Sequence, residues 1–335
     1  MPLTELTEFM LPAIEAELRR QVARLYRPPT TPFYEMLAYH MGWNGDAGTG
    51  AGKRIRPLVT LLTTAASGGG WLHATPVAAA VELLHNFSLV HDDIQDNSPT
   101  RRGRVTAWKK YGMPMAINIG DALFSISSLA AVNLSAHYPA ETVLRAAACL
   151  HEACLDLTTG QYLDMSYEKR LDLTTEDYWP MVEGKTAALL SAAAQIGAIL
   201  GGADEATRKS YSAFGRYLGL AFQVQDDILG VWGDEAAIGK SAASDLVEGK
   251  NSLPVLYGLA QKAAFARRWA EGPVLESETR ELAGALAADG ARDYCAAEAD
   301  RLTAMAMDAL HSAHPGGDAG EALSQLAAML LQRQS

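Results

Sequence analysis

Residues 74–96 read ATPVAAAVELLHNFSLVHDDIQD. Apolar side chains recur at helical spacing through Leu83, Leu84, Phe87, Leu89 and Val90, and Pro76 stands where a helix can begin. Three carboxylates then close the stretch. Asp92 and Asp96 lie four apart and share a helix face, with Asp93 about 100° round. Two like charges at that spacing repel each other, and a packed helix raises the cost. A divalent cation held by both carboxylates removes the conflict, and a hard, all-oxygen donor set suits magnesium.

A second acidic run, QVQDDIL at 223–229, sits at a similar place in another mostly apolar stretch. One aspartate pair at a helix end is commonly a solvated face. Two pairs, each ending a long apolar helix, point to metal held by facing helices of a bundle. No histidine stands where a histidine–carboxylate di-iron pattern needs one, since His91 precedes the first run and His85 lies seven residues upstream. Carboxylates alone favour magnesium bridging phosphate oxygens.

Helical periodicity runs through the remainder. It predicts helices near 3–24, 32–42, 54–67, 74–96, 115–136, 140–168, 174–200, 205–232, 252–270, 276–288, 291–312 and 318–333, with Gly and Pro between them. Period-2 strand patterns are not found. Helices rich in Ala and Leu on nearly all faces, such as 186–200, belong at the centre of a large bundle. The expected fold is all-α, a single domain over 1–335, because no low-complexity linker divides the chain. Residues 27–51, with two Pro pairs and several glycines, read as a loop-rich approach to a site.

The 335 residues carry 28 Lys+Arg against 39 Asp+Glu, a net charge of −11, and 49% are hydrophobic. That apolar share excludes wholesale disorder. The negative charge argues against nucleic acid as a partner, because such affinity rests on phosphate neutralisation. Cys149, Cys154 and Cys295 form an odd set without metal-ligand spacing, as expected of reduced thiols. Neither a basic–apolar leader nor an uncharged apolar run of about 18 residues is evident. The expectation is a cytoplasmic protein with no membrane span.

Within this acidic chain, GKRIRP at 52–57 and RRGR at 101–104 stand out. Lys53 and Arg56 are three apart and can share a face, and a helix N-terminus adds its own pull on phosphate. Arginine forks bind phosphate oxygens in pairs, whereas lysine acts as a point charge. Short basic runs are often plain solvated surface. Together with two carboxylate clusters, they point to a metal–diphosphate site. Lys185 in an apolar helix reads equally as a snorkelling side chain, and Gln223 as a satisfied core amide.

ELLHNFSLVHDDIQDNSPTRRG resembles the first aspartate-rich region of the trans-isoprenyl diphosphate synthases, and FQVQDDILG resembles the second. GKRIRP, GKT at 184–186, and GKSAASD followed by GK at 249–250 match further motifs of that family in the same order. The likeness covers most of the chain and is strongest from Gly52 to Pro254. It implies an all-α bundle around a deep central cavity, usually a homodimer. By the same resemblance Asp92, Asp96 and Asp226 bind magnesium, three ions per active site, with Asp93 and Asp227 as auxiliary ligands or hydrogen-bond acceptors. Arg101, Lys185, Gln223 and Lys240 would hold the allylic diphosphate, with Thr186 beside it and Lys250 nearby. Lys53, Arg56, His85 and Arg102 would hold isopentenyl diphosphate.

The implied reaction is ionisation of the allylic diphosphate, attack by the double bond of isopentenyl diphosphate, and loss of a proton to the released diphosphate. No nucleophile or catalytic triad is then required. Phe87 lies five residues before Asp92, about 7.5 Å along the helix. In the family a bulky residue there often forms the floor that stops chain growth, with Leu84 and the small Ser88 beside it. That pattern resembles synthases of C20 geranylgeranyl diphosphate; C15 farnesyl and C25 geranylfarnesyl products are the alternatives. A class I terpene cyclase shares the metal chemistry but needs no isopentenyl site, and a non-catalytic partner subunit is a third reading. Three positions depart from the family pattern: Gly230 stands where the second motif often ends in Asp, and Val105 and Trp108 replace a common Pro and His.

Overall fold

The computed structural model describes residues 2–44, 52–168, 170, 172–233 and 243–331. Helices dominate, as the periodicity predicts. They are α1 Pro2–Val22, α2 Thr31–His40, α3 Ile55–Ala66, α4 Thr75–Gln95, α5 Ala107–Tyr111, α6 Met113–Val132 and α7 Ala140–Tyr167. Then follow α8 Thr175–Val182, α9 Ala188–Leu200, α10 Glu205–Trp232, α11 Ser244–Val247, α12 Leu253–Ala260, α13 Ala264–Trp269, α14 Thr279–Ala288, α15 Ala291–Ser312 and α16 Gly317–Leu331. By their contacts the residues group into two compact units. The first comprises Met1–His151, Ala193–Arg208 and Pro315–Leu323; the second comprises Glu152–Ala192, Lys209–His314 and Ser324–Ser335.

In the first unit α4 runs along α6. Ala78, Ala80, Val81 and Leu84 of α4 are buried, as are Ala116, Ile119, Gly120, Leu123 and Ile126 of α6. Small residues let the axes approach, and the Ser127 hydroxyl donates to the Ala80 carbonyl at 2.7 Å. Among the described residues, Met113–Ala136 is long and apolar enough to cross a membrane, which qualifies the expectation of no such segment. Its inner face owes that apolarity to packing on α4. Its outer face still shows Ile117, Leu129 and Val132.

Between α4 and α5 lies a hairpin the periodicity did not foresee. β1 Thr100–Arg101 pairs antiparallel with β2 Arg104–Val105, Arg101 opposite Arg104. Arg102 and Gly103 both have positive φ, at 52° and 72°. That is the backbone of a two-residue turn whose twist suits a hairpin. Two-residue strands are too short to leave a period in the sequence.

In the second unit, Val231 at the end of α10 joins Leu246, Val255, Phe265, Leu282 and Leu286 in one buried cluster. The Trp232 indole donates to the Ala283 carbonyl at 3.0 Å. The region beyond residue 271, which shows no motif, therefore supports the helix that carries the second acidic run. The expected helix 174–200 is broken: α8 is followed by a π-helical turn, Glu183–Ala187, before α9 begins. Thr174 and Asp177 form a reciprocal capping box that fixes the start of α8. The expected helix 252–270 is likewise divided into α12 and α13.

Candidate active site

The acidic end of α4 meets the hairpin. Arg101 reaches back with Nε 2.7 Å from Asp93 and Nη2 3.1 Å from Asp92, so one guanidinium holds both carboxylates. Asp93 is buried, and burial lifts its carboxyl above the usual range while Arg101 opposes that shift. Asp92 is half-buried, and Asp96, the residue that ends α4, is exposed. Asp96 is thus the exposed member of the i, i+4 pair, while Asp92 and Asp93 both meet the arginine.

The basic residues gather against the same helix at His85, two turns earlier. Arg56 Nη1 lies 3.3 Å from His85 Nε2. Burial, followed by the charges of Arg56, Arg102, Arg101 and Arg54, holds His85 neutral. Gly52 is the gap through which Arg102 passes: a Cβ built there would stand 2.6 Å from its guanidinium Nη1. Lys53 is exposed.

Arg54, between the two predicted ligands Lys53 and Arg56, turns the other way. Its φ is 52°, and its side chain is buried against Glu82 at 2.7 Å and Glu15 at 3.3 Å. The sequence reading passed over Arg54, since nothing in a basic hexapeptide says which arginine faces inward. His40 was also missed. It sits beside Asn86, Asp93, Arg101 and Arg102. Burial, then the Arg101 and Arg102 charges, depress its pKa to about 3.

In the second unit the predicted residues form a relay. Thr186 in the π turn donates to the Gln223 amide oxygen at 2.8 Å, and Gln223 Nε2 donates to Asp227 Oδ1 at 2.9 Å. Asp227 Oδ2 accepts from the Tyr178 hydroxyl at 2.8 Å and from the Leu253 amide at 3.0 Å, the first N–H of α12. Asp227 is 5% exposed, and burial raises its pKa to about 7 against the pull of those donors. Its carboxylate is filled from inside the protein, whereas Asp226 beside it is half-buried. Tyr178 carried no sequence signal.

Lys185, also in the π turn, pairs with Asp164 of α7. Gly160 and Gly184 bring their backbones together, a Cβ on Gly184 falling 2.9 Å from the Gly160 Cα. Single π turns recur at functional sites because they rotate side chains out of helical register. Lys250 pairs with Glu248 at 2.6 Å and Asp245 at 3.4 Å. Lys240 lies outside the described residues.

Leu84 is buried within the first unit, and Phe87 and Ser88 are half-buried beside it. Phe87 packs at 5.3 Å on Phe124 of α6, which in turn meets His151 at 5.8 Å. Val105 gives its carbonyl to the Tyr39 hydroxyl at 2.8 Å, and Trp108 donates to the Ser98 carbonyl at 2.8 Å. Both departures from the family pattern therefore brace the hairpin.

Residues 46–281 match the model of the polyprenyl synthetase family. The chain is 37% identical over 330 residues to a (2E,6E)-farnesyl diphosphate synthase of Mycobacterium tuberculosis, covering 94% of this chain and 89% of that protein. It is 42% identical over 239 residues to a geranylgeranyl diphosphate synthase of the same organism, covering 70% and 67%. A Caulobacter crescentus polyprenyl synthase, solved with calcium and isoprenyl diphosphate, superposes with a TM-score of 0.84 at 30% identity, over 100% of this chain and 98% of that one. The chain belongs to the trans-isoprenyl diphosphate synthase family. It is an all-α, short-chain trans-prenyltransferase.

Proposed function

We propose that the protein condenses isopentenyl diphosphate with allylic diphosphates, and that its main product is the C20 geranylgeranyl diphosphate. The observation that carries the reading is the pairing of charges along α4: a cationic group at His85, Arg56 and Arg102, and seven residues on, the carboxylates Asp92 and Asp96. A cyclase has no use for the first group. A synthase needs both, one for each diphosphate.

Magnesium fits the donors present. Asp92 and Asp96 on one face of α4 supply hard oxygens, as does Asp226 on α10. That is the donor set of an ion held by one or two carboxylates and completed by phosphate and water. Bound there, three such ions would offset the negative charge that develops on the departing diphosphate. Asp93 and Asp227 act as acceptors that hold Arg101 and Gln223 in place. Lys185, Thr186, Gln223, Arg101 and Lys240 bind the allylic diphosphate, with Lys250 nearby. Lys53, Arg56, His85 and Arg102 bind isopentenyl diphosphate, with His85 neutral and able to donate or accept. Apolar walls exclude water from the allylic cation.

Phe87 closes the pocket below Asp92, with Leu84 and Ser88 beside it. Its support by Phe124 favours a fixed floor and hence C20 over longer chains. The chain acts as one catalytic domain and pairs with a second copy; the exposed Ile117, Leu129 and Val132 of α6 and Leu144 and Leu155 of α7 support such pairing. Buried Cys154 and Cys295 thiols fit a reducing cytoplasm. The test is product analysis with magnesium, isopentenyl diphosphate and C5, C10 or C15 starters. A C20 diphosphate as the main product is expected. A C15 or C25 endpoint overturns the assignment of chain length.

A further inference from the structure

The hairpin that carries Arg101 and Arg102 has only two residue pairs, Thr100 with Val105 and Arg101 with Arg104. A two-stranded ribbon that short does not hold its own shape in water, so its position is set by what grips it. At its open end the Thr106 hydroxyl donates to the Ser98 carbonyl at 2.9 Å, and the Trp108 indole donates to the same oxygen. The second strand is gripped from α2, through Tyr39.

The Tyr39 hydroxyl donates to the Val105 carbonyl at 2.8 Å. Its ring centroid lies 4.3 Å from the Arg104 guanidinium carbon and 3.6 Å from the Lys110 ammonium of α5. The Tyr111 ring meets it edge-on, with centroids 5.6 Å apart and planes at 88°. Arg104 and Lys110 repel each other, and the π-system of one ring attracts both. A single side chain thus gathers β2 and α5 onto α2.

The two arginines that the hairpin presents differ in how they are held. Arg101 is paired with Asp92 and Asp93. Arg102 has no carboxylate partner among the described residues; it passes at Gly52, and its backbone sets its place. That backbone follows Arg101, which faces Arg104 across the hairpin. A shift of Arg104 is therefore passed to Arg102, while Arg101 keeps its own anchors.

We infer that Tyr39 is a positioning residue of the isopentenyl diphosphate subsite, seating the hairpin through Val105 and Arg104 so that Arg102 is in place for that substrate. The inference rests on the assignment of Arg102 to isopentenyl diphosphate in the proposed function. It makes the two substrates respond differently to one residue, because the allylic side keeps Arg101 through its carboxylates.

The test is steady-state kinetics of the full chain with magnesium, isopentenyl diphosphate and geranyl diphosphate. Tyr39→Leu is expected to raise the KM for isopentenyl diphosphate roughly 10-fold, as for the loss of two cation–ring contacts, and to change kcat and the geranyl diphosphate KM roughly 3-fold or less. Tyr39→Phe keeps the ring and should restore most of the affinity. Arg104→Gln, which removes one cation and leaves Tyr39 in place, should raise the same KM roughly 3-fold and keeps the test open if Tyr39→Leu fails to fold. In an Arg102→Gln background, Tyr39→Leu should add little, since it acts through Arg102. Equal effects on both substrates, no change in either KM, or an undiminished effect in the Arg102→Gln background overturns the inference. If Arg102→Gln alone leaves the isopentenyl diphosphate KM unchanged, the assignment of Arg102 falls, and the inference with it.

Discussion

Arg54 and Glu82 form an ion pair at 2.7 Å with side chains 5% and 3% exposed, inside the first unit. The carboxylate of Glu82 also accepts from Asn86 at 3.2 Å, and Glu15 reaches the same guanidinium from α1. The pair ties the start of α3 to α4, one turn before His85. It therefore fixes how Lys53 and Arg56 are presented.

Removing one member strands the other charge in the core. Arg54→Met or Glu82→Gln is expected to cost about 3–5 kcal/mol of unfolding free energy, whereas a double change to apolar residues of similar volume recovers much of it. Denaturant unfolding of the three variants checks this. In the surviving fraction of Arg54→Met, the KM for isopentenyl diphosphate should rise more than kcat falls.

His40 gives the fold an acid limit. Its folded pKa of about 3 lies below the unfolded value of about 6.5, so the unfolded chain takes up the proton first. The stabilisation is complete above pH 6.5 and is lost as pH falls from there toward 3, by no more than about 5 kcal/mol. Burial causes most of the shift, with Arg101, Arg102 and Arg54 adding to it and Asn86 opposing. His40→Asn should flatten the dependence of the unfolding midpoint between pH 6.5 and 4 relative to the parent. An unchanged slope removes His40 from that role.

The floor proposed at Phe87 is a stack rather than one ring. Phe87 rests on Phe124, and Phe124 on His151, whose ring meets the Ser128 hydroxyl at 3.3 Å. Phe87→Ala is expected to lengthen the product by one or more C5 units, and Phe124→Ala to do the same more weakly by letting Phe87 swing aside. Chromatography of the dephosphorylated products reads both. Unchanged lengths in both variants place the floor elsewhere.

Tyr178 carries one of three donors on Asp227. Tyr178→Phe should cost about 1.5–3 kcal/mol, as for a buried hydrogen bond to a charged group. Gln223→Leu breaks the relay from Thr186 to Asp227, and turnover should fall roughly 10- to 100-fold with a smaller change in stability.

Much of this was legible in the sequence because charge in an apolar helix is costly and so conspicuous. The aspartates of 92–96 and 226–227, and the basic GKRIRP and RRGR, declare themselves in that way. Direction was not legible. Arg54 and Arg56 look alike in sequence, yet one is buried on Glu82 and the other faces His85, because the backbone at 54 adopts a positive φ that no local residue demands. The π turn at 183–187 leaves the helical period almost intact, so Lys185 and Thr186 stand out only through the family resemblance, and the turn itself left no signal. Tyr178 depends on a segment brought close by folding, across 49 residues. The membrane-length apolarity of α6 arises from a face packed on α4 and a second apolar face, which composition alone does not divide.

The central claim is that allylic diphosphate is ionised in order to be joined to isopentenyl diphosphate. The direct measurement is release of inorganic diphosphate from geranyl diphosphate with magnesium, with and without isopentenyl diphosphate. One diphosphate released per isopentenyl diphosphate consumed, with little release in its absence, is the predicted result. Release at the same rate without isopentenyl diphosphate, or none under either condition, contradicts it.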